Sequence, residues 1–330
     1  MEYTFLGKTG VKVSRLALGT MSFGGDADEK TSTAMFNRCR DEGINFFDCA
    51  NGYAGGRSEE ILGKLIKDCR QEVLISSKVY YPTGEDVNAR GASRKHIMAS
   101  IEKSLKRMNT EMIDIYFIHR FDDYTPIEEV MRVLDDLVRQ GKILYPAASN
   151  FAAWQVAKAL GVSAREGLAR FECIQPMYNL VKRQAEVELF PMSLSEGLGV
   201  FPYSPLGAGL LTGKYGIEKR PESGRLIDNK MYSVRFGAKS GFETAQAFTA
   251  FAQGMNVEPA SLAVAWVSGN PAVTAPILGA RNLTQLESSL KSLQIEMTPE
   301  LWSEVSALSM EPASATDRNE ERTTFNYGTR

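Results

Sequence analysis

The sequence predicts a single (β/α)8 TIM barrel over residues 1–330, with an N-terminal β-hairpin, an elaborated loop after strand 7 and a C-terminal extension. Short apolar runs alternate with segments of helical period, most of them about 30 residues apart, the size of a βα unit. Alternation of that kind means a parallel sheet. No linker rich in Pro, Ser or charge interrupts it, which favours one closed barrel over two domains. A doubly wound dinucleotide fold would place G-x-G-x-x-G after its first strand. Here that strand leads into Gly19-Thr20-Met21-Ser22-Phe23-Gly24-Gly25, which has the wrong spacing.

Taken in order, Thr4 to Ser14 reads as two short strands around a glycine turn. The barrel strands are then expected at Leu16–Gly19, Asn45–Asp48, Val73–Lys78 and Ile113–His119. Four more follow at Leu144–Ser149, Glu172–Gln175, Val200–Tyr203 and Val273–Leu278. Between them, Ile97, Ile101, Leu105 and Met108 form one helical stripe, and Val130, Val133, Leu134, Leu137 and Val138 form another. Thr125-Pro126-Ile127-Glu128 has the pattern of a capping box with proline at the first helical position. Ser58 and Ser93 are expected N-caps, and Gly43, Gly141 and Gly199 are expected at helix-to-strand turns. The interval from Tyr203 to Val273 is too long for one helix and implies an elaborated loop; from about Glu311 the tail is polar.

Composition narrows the function classes. With 43% apolar and 24% charged residues and a formal net charge of -2, the chain lacks the basic excess of a phosphate-neutralising nucleic-acid binder. It shows no polybasic membrane signal, no signal-peptide pattern at Met1–Phe5 and no apolar run near the ~20 residues of a membrane span. A cytoplasmic location is expected. Cys39, Cys49, Cys69 and Cys173 are widely spaced, as reduced thiols would be. The only histidines are His96 and His119, without a Cys/His cluster, so no metal centre is expected.

In a barrel of this type the active site lies at the C-terminal ends of the strands. Those ends carry Asp48, Lys78, His119, Ser149-Asn150, Gln175, Tyr203-Ser204 and Gly279 to Arg281. Ionisable residues close three consecutive strands, and Tyr53 follows Asp48 by five positions. Charges at strand ends can be mere solvated termini, but three in succession beside a tyrosine fit that explanation poorly.

From about Leu6 to Leu290 the chain resembles the aldo-keto reductase family, with a flavour of its bacterial and potassium-channel-β-like branch. The resemblance rests on Phe47-Asp48-Cys49-Ala50 with Tyr53, Ser58 to Gly63, Ser76-Ser77-Lys78 and Asp114 to His119. It continues through Ser149-Asn150-Phe151, Gln175 to Asn179, Tyr203 to Gly207 with Leu211 to Lys214, and Leu278 to Arg281. It implies NADPH-dependent reduction of an aldehyde or ketone, with Asp48, Tyr53, Lys78 and His119 as catalytic residues. A phenol has an ordinary pKa of about 10. A Lys78 ammonium beside Tyr53 would lower that value, with Asp48 as its counter-ion and His119 holding the carbonyl oxygen.

The same resemblance implies the NADPH/NADP+ site. Gly19, Thr20 and Met21 border it, while Ser149, Asn150 and Gln175 bind the carboxamide and Tyr203 stacks on the nicotinamide. Backbone N–H groups in the turn from Ser204 to Gly209 embrace the pyrophosphate with Lys214, and Pro205, Leu206 and Leu211 are further cofactor contacts there. Gly279, Arg281 and Gln285 take the ribose-phosphate end, where Ser288-Ser289 replace the family's acidic–asparagine pair. Met21, Phe23, Tyr53, Tyr80, Tyr81 and Phe121, with parts of the 220s loop and the tail, would make an aromatic wall suited to apolar carbonyl substrates. Two other readings stand beside this one. The first is an NADPH-binding regulatory subunit with slow turnover. The second is a lyase or isomerase using Lys78 as a Schiff base.

Overall fold

The computed structural model describes residues 1–316 together with Arg318, Glu320 and Thr323. The rest of the expected polar tail lies outside the described residues. β1 (Tyr3–Phe5) and β2 (Lys12–Ser14) pair as the expected antiparallel hairpin. β3 (Ala17–Gly19), β4 (Phe46–Asp48), β5 (Leu74–Val79) and β6 (Ile113–Ile118) begin the parallel sheet. β7 (Ile143–Ser149), β8 (Cys173–Gln175), β9 (Gly199–Val200) and β10 (Ile277–Leu278) complete it. The order runs β10-β3-β4-β5-β6-β7-β8-β9.

The ring closes between β9 and β10. Thr274 N–H donates to Val200 O at 2.9 Å and Ile277 N–H to Pro202 O at 2.9 Å. These last two strands form shorter ladders than their apolar runs suggest, because Pro202 and Pro276 have no N–H to contribute.

Strand alternation sorts the side chains into two layers. Phe46, Ile115, Phe117, Ala147, Cys173 and Phe201 fill the barrel interior, while Phe47, Tyr116, Ile118 and Ala148 face the helices. Leu6 from the hairpin turn joins the interior group and is fully buried. It seats against Gly199, where an added Cβ would lie 2.5 Å from Leu6 Cδ1. Outside, the helix Arg94–Met108 buries Ile97, Ile101, Leu105 and Met108, and the helix Ile127–Arg139 buries Val130, Val133, Leu134 and Leu137.

Local caps differ from the sequence patterns at three places. Ser93 caps its helix as expected, accepting from His96 N–H. Ser58, however, lies inside the helix Arg57–Ile66, and its buried hydroxyl donates to Thr20 O at 2.7 Å. Thr125 forms no capping box: its hydroxyl donates to Asp122 at 2.9 Å, and Pro126 is itself the N-cap. Gly199 is within β9, and the left-handed helix terminus belongs instead to Gly197, at φ 67°.

The long excursion between β9 and β10 holds a 3-10 turn at Gly207–Thr212 and helices at Arg225–Asp228, Lys230–Phe236, Lys239–Gly254 and Pro259–Gly269. After Leu283–Leu290, the extension helix Pro299–Ser306 stacks Trp302 on Trp266 at 5.7 Å between ring centroids. Among the described residues, no helix is long and apolar enough to cross a membrane.

Leu6→Ala should destabilise the protein by about 2–5 kcal/mol, the cost of a cavity in a well-packed interior. Denaturant unfolding measures this, and a loss below about 1 kcal/mol would mean the hairpin is not the barrel's plug.

Candidate active site

A cavity of about 760 Å³ opens at the C-terminal ends of the strands, within the ~300–1,000 Å³ usual for small-molecule sites. Its floor begins with the in–out–in alternation of β4, which sends Phe46 and Asp48 inward and Phe47 outward. Asp48 Oδ1 accepts from Ser76 Oγ at 2.7 Å and from Gln175 Nε2 at 2.9 Å. Its Oδ2 accepts from Lys78 Nζ at 2.6 Å.

Lys78 comes from β5, where Ser76 and Lys78 face Asp48 while Ser77 donates outward to Glu59. Its fully buried ammonium also donates to Cys49 O at 2.7 Å and Tyr53 Oη at 3.3 Å. All three ammonium protons therefore have acceptors. Tyr53 reaches this place because the chain turns directly after β4, with Tyr53 N–H donating to Ala50 O at 3.1 Å. His119 stands across from it, with ring centroids 6.2 Å apart in an edge-on arrangement. Asp48, Tyr53 and His119 line the cavity; Lys78 lies behind them.

Electrostatics corrects one expectation. Burial raises the Tyr53 phenol well above its ordinary pKa, and the negative charge of Asp48 adds to the rise. The Lys78 ammonium, 3.3 Å from the phenol oxygen and paired with Asp48, is outweighed at rest by these two effects. Tyr53 is thus a neutral phenol with its proton in place. His119 is pushed down to about 3, by burial first and then by the Lys78 charge. It is a neutral imidazole near pH 7, able to donate a hydrogen bond but carrying no imidazolium proton to transfer.

A second polar group borders this centre. Asn150, at φ 57°, donates to His119 O at 2.9 Å and accepts from Tyr203 Oη at 2.7 Å. Ser149 Oγ donates to Gln175 O at 3.0 Å. Gln175 supports Asp48 through its amide nitrogen, a role absent from the sequence reading, and among the described residues its Oε1 has no donor. Asn51 also lines the cavity, and its buried Nδ2 has no hydrogen-bond partner among the described residues.

The far end of the cavity is cationic. Burial and the charges of Arg281 and Arg225 lower the Lys214 pKa. Arg281 keeps one carboxylate partner, Asp26, at 3.0 Å. An anion placed there would relieve the mutual repulsion. Gly279 forms part of the wall, and a Cβ built there would meet nothing within 4 Å. This combination of open glycine wall, cations and polar strand ends fits a long anionic cofactor such as a nicotinamide dinucleotide.

Most other expected cofactor residues also reach the cavity: Gly19 and Met21 at one side, Ser204, Pro205, Leu206 and Gly209 in the turn, and Gln285 at the far end. Thr20 and Leu211 do not. Thr20 is buried and donates through N–H and Oγ1 to Asp48 O, while Leu211 is buried in the outer core. Within the turn, Gly207 and Gly209 N–H groups are spent on Ser204 O and Leu206 O, so those two do not serve as anion donors. Gln285 Oε1 accepts from Arg281 N–H, and Ser289 Oγ turns back to Gln285 O. Phe23, Tyr80 and Phe121 are off the wall: Phe23 is fully buried, and Phe121 packs on Phe151 and Trp154.

In their place stand Met231, Tyr232 and Arg235 from the Lys230–Phe236 helix, with Arg225 before it. The 220s loop was expected to contribute, but only the run of cations from Lys214 through Arg225 to Arg235 hinted at which residues.

The Aldo/keto reductase family model matches residues 15–309. The chain belongs to that family. Its relatives include the "Uncharacterized oxidoreductase YrpG" of Bacillus subtilis (strain 168), 36% identical over 316 residues, covering 91% of this chain and 94% of the relative. A "Probable voltage-gated potassium channel subunit beta" of Oryza sativa subsp. japonica is 35% identical over 317 residues, covering 93% and 96%. The "Versiconal hemiacetal acetate reductase" of Aspergillus parasiticus is 30% identical over 326 residues, covering 91% and 94%. Membership of this aldo/keto reductase family makes the chain an oxidoreductase by class.

His119 offers a direct test of the electrostatics. Imidazole NMR should find its ring neutral down to about pH 5, well below the ordinary midpoint of ~6.5. Because the unfolded state binds the proton first, His119 should subtract stability as pH falls from about 6.5 toward about 3. A midpoint near 6 would show that the ring is not desolvated as described.

Proposed function

We propose that the protein reduces an aldehyde or ketone to an alcohol with NADPH, reversibly, and that Tyr53 gives the proton. The observation that carries this reading is the position of Lys78 Nζ, 2.6 Å from Asp48 Oδ2 and 3.3 Å from Tyr53 Oη, beneath a cavity wide enough for cofactor and substrate. When bound, the nicotinamide supplies the hydride to the carbonyl carbon.

The chain's own residues do the rest. Neutral Tyr53 donates its proton as the carbonyl oxygen becomes an alkoxide, and the Lys78 ammonium stabilises the phenolate left behind. Lys78 thus favours the charge that develops, against the burial and the Asp48 charge that keep the resting phenol protonated. His119 N–H positions the oxygen from the other side. Asp48 holds Lys78, with Ser76 and Gln175 fixing the carboxylate. Residues Ser149, Asn150, Gln175 and Tyr203 would hold the nicotinamide end; Lys214, Arg225 and Arg281 would hold the phosphates. We assign the reaction to the cytoplasm, in keeping with four free cysteines, and to residues 1–330 acting as one domain.

The names of the Bacillus and Aspergillus relatives, an oxidoreductase and a reductase, support turnover. The Oryza relative's name, a channel subunit, supports the regulatory-subunit part of the second reading, an NADPH-binding regulatory subunit with slow turnover. NADPH consumption against a panel of aldehydes and ketones, set beside the affinity for the cofactor, separates the two.

Tyr53→Phe keeps the ring and should keep the fold and NADPH binding, while the chemical step falls about 10²–10⁴-fold. A folded, NADPH-binding variant within a few-fold of wild type would remove Tyr53 from the role. Arg281→Ala should weaken NADPH binding by about 1.5–3 kcal/mol and leave NADH nearly unchanged. Equal losses for both cofactors, measured by fluorescence titration, would give Arg281 a structural role instead.

A further inference from the structure

The cavity carries a second positive group, distinct from the phosphate-side cluster. Tyr232 is buried, and both Arg225 and Arg235 approach its ring, their guanidinium carbons 5.6 and 5.7 Å from the centroid. Arg225 belongs electrostatically with Lys214 and Arg281. Arg235 instead acts on Tyr203, whose other titratable neighbours are Tyr81 and Tyr232. Tyr81 in turn stands edge-on to His119 at 4.9 Å. Arg235 therefore belongs to the reactive end of the cavity.

Three features make Arg235 more than a surface arginine. It lines the cavity and is only partly exposed. The cation–π contact with Tyr232 limits the rotamers of a long side chain. Among the described residues, no carboxylate pairs with it, although eighteen ion pairs form elsewhere. A guanidinium is always charged and offers a planar fork of donors matched to a carboxylate.

We infer that Arg235 binds a carboxylate on the substrate, so that the preferred substrates are carbonyl compounds bearing an acid group beyond an apolar or aromatic middle. This rests on the carbonyl-reductase reading and revises the sequence-based expectation of a purely apolar substrate. Tyr53 and His119 take the carbonyl oxygen, Tyr81 and Tyr232 line the cavity beside the middle, and Arg235 takes the far charge.

The test compares 4-carboxybenzaldehyde with methyl 4-formylbenzoate, the same aldehyde with its charge masked. Wild type with NADPH should favour the acid by about 10–100-fold in kcat/KM, mainly through KM. The ratio should shrink as salt is raised. Arg235→Met should bring it near one, and Arg235→Lys should restore part of it; thermal melts establish that both variants fold. An acid-to-ester ratio near one in wild type, or a ratio that Arg235→Met leaves unchanged, overturns the inference.

A measurement without turnover keeps the two readings apart. Calorimetry on the NADP+-loaded protein should show 4-(hydroxymethyl)benzoate binding at least about 10-fold tighter than its methyl ester, with the difference lost in Arg235→Met. If neither aldehyde is reduced, the carbonyl-reductase reading fails, while calorimetry still decides whether Arg235 holds a carboxylate.

Discussion

A buried ion pair governs the interior of this barrel. Removing an ammonium and a carboxylate from water is costly, and their attraction repays it only when the remaining donors and acceptors are satisfied. Lys78 and Asp48 meet that condition with Cys49 O, Tyr53 Oη, Ser76 Oγ and Gln175 Nε2. The interior consequently changes character along its axis. Leu6, Phe46, Phe117 and Phe201 pack one region, and a polar layer takes over where Asp48 and Lys78 enter. Losing either partner would strand a buried charge, so the pair constrains its neighbours' identities as well as their positions.

The cavity above the pair is divided by charge. At the strand-end floor the groups exposed to a reacting molecule, Tyr53 and His119, are both neutral because burial disfavours their ions. At the Lys214 end positive charge accumulates with little compensation. Proton transfer thus rests on neutral groups, and anion attraction on the ammonium and guanidinium groups. Tyr232 touches both sets of cations, with the guanidinium carbons of Arg225 and Arg235 5.6 and 5.7 Å from its ring centroid.

Much of this was readable before any coordinates, for a definite reason. Side chains at the ends of parallel strands share one rim, so locating β4, β5 and β6 by their apolar runs already brings Asp48, Lys78 and His119 together. Alternation then tells Ser76 from Ser77. The caps were less legible: Ser58 and Thr125 have the right chemistry for their helix starts, but Thr20 and Asp122, far away in sequence, compete for their hydroxyls. Gln175 reaches Asp48 across 127 positions, which no local pattern encodes. Thr20 and Leu211 share motifs with cavity residues yet point elsewhere, since family motifs specify sequence and not side-chain direction. Arg225 and Arg235 lie on short helices in the excursion after β9, where no strand register fixes what faces inward.

The proline-shortened junction between β9 and β10 has a mechanical consequence. Every other strand boundary in the ring is a regular ladder, whereas this one is closed by a few bonds among Val200, Pro202, Thr274 and Ile277. Tyr203 and Gly279 stand on its two lips, and both face the cavity. A molecule lying across them works as a staple on the cylinder, tying together the two edges that the backbone holds least. Occupancy then contributes to resistance against unfolding by RT ln(1 + [L]/Kd), and the cell's supply of that molecule becomes part of what keeps the barrel shut.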